Sequence, residues 1–119
     1  MLTYKLRSFI DINKINWDWL SCNPNAIDLL KANPDKINWI YLSKNPAAID
    51  LLKVNLDKVH WYELSSNPEA MELLITNLDK ICWNNLSSNP NAINFIEQYL
   101  NDPIVCKKLD WDILSTNPN

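Results

Sequence analysis

The stretch Trp39-Ile40-Tyr41-Leu42-Ser43-Lys44-Asn45-Pro46-Ala47-Ala48-Ile49-Asp50-Leu51-Leu52 decides the fold, because the chain repeats it. Trp61 opens a second copy that reaches Leu64-Ser65-Ser66-Asn67-Pro68, then Ala70-Met71 and Leu73-Leu74. Trp17 and Trp83 open two more, and successive copies are 22 residues apart. Trp111 follows after 28 residues and leads into Leu114-Ser115-Thr116-Asn117-Pro118. A period between about 20 and 50 residues marks stacked-repeat architectures.

Each copy carries two helix starts. The stronger is Asn-Pro, at Asn23-Pro24, Asn45-Pro46, Asn67-Pro68 and Asn89-Pro90. An asparagine oxygen accepts a backbone N–H left open at a helix start. Proline at the next position gives up an N–H that has no helical partner, and it pushes the preceding residue out of the α region. Ala26, Ile27, Leu29 and Leu30 then follow at helical spacing. The pattern predicts a helix of about ten residues. Its expected stop is Asn33, Asn55 or Asn77, with asparagine taking a left-handed conformation in a chain that has no glycine. The weaker start precedes each tryptophan. Asn16, Asn38 and Asp110 suit it as caps; His60 and Cys82 hold the same column and cap poorly. From tryptophan to serine the chain is predicted to form a short α or 3-10 turn.

Short helices are marginal in isolation, so stacking must supply the core. The expectation is an all-α fold, a short α-solenoid of 22-residue units, as a single domain over residues 1–119. Residues 1–14 would be an N-terminal cap, with Leu6, Phe9, Ile10 and Ile12 covering the first unit. Units start near residues 15, 37, 59 and 81, the fourth is longer and runs over 81–108, and a truncated fifth covers 109–119. In the long unit, Asn101-Asp102-Pro103 reads as a helix stop followed by a new start. The expected core columns include Trp17, Trp39, Trp61, Trp83 and Trp111, with Ile15, Ile37, Val59, Ile81 and Leu109 two residues before them.

Hydrophobic residues make up 47% of the chain and charged residues 21%, the balance of a folded domain. The net charge of -3 and the absence of a repeated Arg/Lys ridge disfavour nucleic-acid binding. No window approaches the about 18 apolar residues of a membrane span, so no membrane association is expected. The Met1–Arg7 start is not followed by a long apolar stretch, and no secretory signal is expected. Cys22, Cys82 and Cys106 are odd in number and read as reduced thiols of an intracellular protein.

Catalytic chemistry has little foothold. His60 is the single histidine, and no nucleophile motif accompanies it. Without glycine there is no phosphate-cradling loop. Asp35-Lys36, Asp57-Lys58 and Asp79-Lys80 recur with the period and read as a solvated edge. His60 and Cys82 share a column, yet facing helices lie about 8–10 Å apart and zinc requires four ligands at about 2.0–2.3 Å. The expectation is no enzyme, no cofactor and no metal.

The positions that vary between copies follow each tryptophan: Asp18-Trp19, Ile40-Tyr41, Tyr62-Glu63, Asn84-Asn85 and Asp112-Ile113. If the tryptophans face inward, one of these two columns faces outward, and Trp19, Ile40, Tyr41, Tyr62 and Glu63 form a candidate partner-binding patch. The alternative is that they pack against the neighbouring unit.

The phrase W-x-x-L-S-x-N-P-x-A-I-x-L-L, with D-K-I before the next tryptophan, resembles the short tandem repeats of uncharacterised proteins from giant DNA viruses, of the mimivirus and marseillevirus type. The resemblance covers residues 13–119, with the non-repeat start and the longer fourth unit departing from it. It implies a viral protein acting inside an infected cell, in the host cytoplasm, or in the virion, and it carries over no catalytic residue. The function expected from the sequence is a non-enzymatic scaffold for protein–protein interaction. The alternative is a self-assembling structural protein of a viral particle or factory, with weak association through the solenoid ends.

Overall fold

The structure is a computed structural model that describes residues 12–117. Among them every regular element is helical: ten short α-helices and six 3-10 turns, with no strand. The expected cap over residues 1–14 falls outside the described residues, apart from a 3-10 turn at Ile12–Lys14. The chain divides into two compact units, Met1–Val59 and His60–Asn119, and the division falls at a repeat boundary.

The first unit holds α1 (Trp17–Ser21), α2 (Ile27–Ala32), α3 (Trp39–Lys44) and α4 (Ile49–Lys53). Each start works as its sequence predicts. Asn16 Oδ1 accepts from Trp19 N at 3.1 Å, and Asn38 Oδ1 accepts from Ile40 N at 3.1 Å. Asn23 and Asn45 accept from the amides of Asn25 and Ala47 at 2.9 and 3.0 Å. The expected ten-residue helix is two pieces, a 3-10 turn (Pro24–Ala26, Pro46–Ala48) running into α2 and α4. The break has a local cause. Ala26 N bonds to Asn23 O, three residues back, and Ala26 itself sits at φ −104°, ψ 8°.

The second unit holds α5 (Trp61–Ser65), α6 (Met71–Ile75), α7 (Trp83–Leu86), α8 (Ile93–Glu97), α9 (Pro103–Lys108) and α10 (Trp111–Thr116). His60 and Cys82 start α5 and α7 with no side-chain cap bond, as their chemistry predicts. Asp102 caps α9 by accepting from Ile104 N at 2.9 Å, so the extra residues of the long repeat form a helix. α9 packs against α7 and buries Val105.

Two expectations are corrected. Asn33, Asn55 and Asn77 do not take a left-handed conformation: each has φ −134°, and no described residue has positive φ. Their side chains make that conformation unnecessary. The Nδ2 groups donate to the carbonyls of Leu29, Leu51 and Leu73 at 3.0, 2.9 and 2.8 Å, satisfying helix-end acceptors directly. The backbone then turns into a further 3-10 turn at Pro34–Lys36, Leu56–Lys58 or Leu78–Lys80, which places the Asp-Lys pairs in solvent.

The second correction concerns the tryptophans. Trp17, Trp39, Trp61 and Trp83 are half-buried, and Trp111 leaves 50% of its surface exposed. The core consists of smaller side chains. Leu30, Leu42 and Leu52 in the first unit, and Leu64, Leu74, Leu86 and Ile96 in the second, are fully enclosed, with Ala48, Ala70 and Ala92 beside them. Each indole stands at the first position of a four- to six-residue helix and keeps part of its surface in solvent. Lys58 Nζ lies 5.1 Å from the Trp39 ring centroid, a contact open to water.

The repeat is held by hydrogen bonds that pass from copy to copy. Asn45 is fully buried, and its Nδ2 donates to Ser21 O and Asn23 O, both at 3.0 Å, in the preceding copy. Asn89 does the same to Ser65 O and Asn67 O at 3.0 and 2.8 Å, and Asn117 to Ser87 O and Asn89 O at 3.1 and 2.9 Å. A serine rung runs beside it. Ser21 Oγ donates to Trp17 O and accepts from Asn38 N; Ser65 Oγ does so with Trp61 O and Cys82 N, and Ser87 Oγ with Trp83 O and Asp110 N. Asn45 and Asn89 thus cap their own helical starts with Oδ1 and lock the previous copy with Nδ2. The α-solenoid stacking is built this way inside each unit.

Candidate functional site

α1 and α3 pack side by side in the first unit, joined by the Ser21 rung. The residues that follow their tryptophans therefore fall on one surface. Between the two helices lies a hollow of about 160 Å3 lined by Asn16, Asp18, Trp19 and Tyr41. Trp19 leaves 73% of its surface exposed; Tyr41 and Ile40 are also exposed. Asn38 Nδ2 donates to Asp18 Oδ1 at 2.8 Å, which fixes the carboxylate at the edge of the hollow. Lys44 Nζ lies 5.4 Å from the Tyr41 ring centroid, and Lys44 does not line the hollow.

Of the five patch positions, the structure brings Trp19 and Tyr41 to one hollow, with Ile40 exposed on the same helix as Tyr41. Tyr62 and Glu63 belong to the second unit. Tyr62 is exposed and meets the His60 ring edge-on at 6.4 Å, and Glu63 is half-buried. At the matching surface between α5 and α7, Asn85 stands in the column of Tyr41 and donates its amide to Tyr62 O. Three other rings of that unit pack on one another. Trp83 stacks on Phe95 with centroids 5.8 Å apart and planes at 6°, and Tyr99 meets both rings at 5.1 Å.

Sequence reasoning missed Asp18 and Asn16 as parts of the hollow and Asn38 as the group that holds Asp18, and it missed the ladder role of the Asn-Pro asparagines. A signal for the ladder was present. A cap alone accepts Ser, Thr or Asp as readily as Asn. Yet Asn23, Asn45, Asn67, Asn89 and Asn117 are all asparagine, the cap whose accepting oxygen is accompanied by a separate NH2 group with two donors.

A larger hollow of about 330 Å3 opens over the start of α8, lined by Pro90, Asn91, Ile93 and Asn94, none of them titratable. No cluster of three or more potential metal ligands occurs among the described residues, and no described helix is long and apolar enough to cross a membrane. The three cysteines are free and half-buried. No protein-family model, no curated protein and no solved structure matches the chain.

Proposed function

We propose that the chain is a non-enzymatic repeat scaffold that engages a protein partner through the ridge of its first unit. One observation carries this reading: Trp19 stands 73% exposed beside Tyr41, rimmed by polar Asn16 and Asp18. Tryptophan and tyrosine, ringed by polar groups, are the residues that dominate protein-binding surfaces. The hollow offers two rings, an amide and a carboxylate, a set suited to holding a ligand. The repeat phrase supports a viral protein working inside an infected cell or in the virion.

The test compares wild type with the double variant Trp19→Ala, Tyr41→Ala in a pull-down from infected-cell lysate. A partner lost by the double variant, with its melting temperature unchanged, supports the reading. Equal capture by both overturns it.

A second reading is self-assembly as a structural protein of a particle or factory. It is supported by α10, where half-exposed Trp111 and exposed Ile113 present apolar surface. Light scattering that reports a strict monomer at high concentration counts against it.

A further inference from the structure

We propose that the hollow between α1 and α3 binds the cationic end of a lysine or arginine side chain; the inference rests on the docking reading above and adds the chemistry of the contact. Three observations lead there. Trp19, the most exposed aromatic among the described residues, presents its ring beside a carboxylate. Aromatic faces attract ammonium and guanidinium groups through the ring quadrupole. This unit already uses that attraction twice, with Lys58 over Trp39 and Lys44 over Tyr41.

The carboxylate selects among partners. Asp18 Oδ1 takes the bond from Asn38 Nδ2, and among the described residues no group bonds Oδ2. A partner that covers Trp19 and Tyr41 must also strip water from Asp18, since all three line one hollow. A purely apolar partner would leave that charge desolvated and unpaired, which is strongly unfavourable. A cation satisfies the carboxylate and the rings together. The net charge of -3 draws such a group in from a distance. The equivalent surface of the second unit has Tyr62, Glu63 and Asn85 in these columns, with the Asn85 amide bonded to Tyr62 O, and offers no open ring pair.

The test is an NMR titration of the full chain with the tripeptide Ac-Gly-Lys-Gly-NH2, following the Trp19 indole N–H. The control is the same tripeptide with uncharged norleucine in place of lysine. A saturable shift is expected with lysine alone, with a dissociation constant on the order of millimolar for one side chain. Asp18→Asn keeps an oxygen for Asn38 and should weaken binding about tenfold by removing a charge-assisted contact. Norleucine binding as tightly as lysine overturns the proposal, as does an Asp18→Asn variant that binds lysine unchanged. The same variants separate this proposal from the docking reading. A captured partner lost with Trp19→Ala, Tyr41→Ala but kept at full strength by Asp18→Asn overturns the cation contact and leaves the docking surface. Lysine binding by the wild type that Asp18→Asn weakens, with the partner kept by both variants, supports the cation site and overturns the docking reading.

Discussion

The surface between α1 and α3 and the surface between α5 and α7 are the same place in two copies of one repeat, put to different use. Beneath both lies the same buried serine, Ser21 or Ser65, bonding to the next copy through Asn38 N or Cys82 N. Above it, the first unit leaves Trp19 and Tyr41 open to solvent, whereas the second has Glu63 and Asn85 in those columns, with the Asn85 amide bonded to Tyr62 O. Trp83, Phe95 and Tyr99 of the second unit pack on one another, while Tyr62 and Trp111 stay exposed. The recurring residues are therefore committed to holding copies together, and the columns that change are free to vary in chemistry without loss of the stack.

That comparison can be broken most forcefully at the shared ladder. Asn45→Asp retains the cap oxygen but turns two buried donors into a carboxylate facing Ser21 O and Asn23 O. It should destabilise by about 3 kcal/mol or more, because a buried charge meets two acceptors. Asn89→Asp should cost the same, and Asn23→Asp, at an exposed cap, should be within about 0.5 kcal/mol of wild type. Urea unfolding of the three variants checks this; unequal losses for Asn45 and Asn89 would show that the two ladders are not equivalent.

The next effect separates the units. Trp83→Ala removes a ring packed on two others and should cost about 3 kcal/mol. Trp39→Ala removes a half-buried ring that lies against the Lys58 ammonium, and it should cost about 1–2 kcal/mol. Equal midpoints in thermal melts of the two variants would show that the two tryptophans are equally embedded.

Smaller still is the serine rung. Ser21→Ala leaves Asn38 N without its acceptor and should cost about 1–2 kcal/mol. Ser115→Ala loses only a bond to the Trp111 carbonyl of its own helix and should cost about 0.5 kcal/mol or less. Smallest is the double variant Trp19→Ala, Tyr41→Ala, which should stay within about 1 kcal/mol of wild type because both side chains are exposed. A large loss there would mean the hollow is part of the fold and would remove the basis for a docking surface.

Much of this was legible in residue order. The 22-residue spacing, the Asn-Pro starts, the caps at Asn16 and Asn38, and the break at Asn101-Asp102-Pro103 each depend on chemistry within a few residues, which local sequence encodes. The left-handed stop was misread because a side-chain bond four residues back, Asn33 to Leu29 O, competes with the backbone solution, and both fit an asparagine equally. The tryptophan core was misread because size was taken as depth. The fully enclosed apolar positions in and beside these four- to six-residue helices hold leucine, isoleucine and alanine, while every repeat tryptophan keeps part of its ring surface in solvent. For the hollow, variation between copies pointed to Trp19, Ile40 and Tyr41, but nothing local linked them to Asp18 or Asn16.

By itself, then, the sequence determined that this chain is helical, where its helices start, and that its copies must bury their leucines against one another, because caps, proline and spacing act over a few residues. Only the tertiary structure decided what the Asn-Pro asparagines do with their second polar atom, and which variable columns stay open. Those outcomes depend on groups that meet across 20 or more residues, as Asn38 meets Asp18 and Asn45 meets Ser21, and no local pattern specifies which of them will face water.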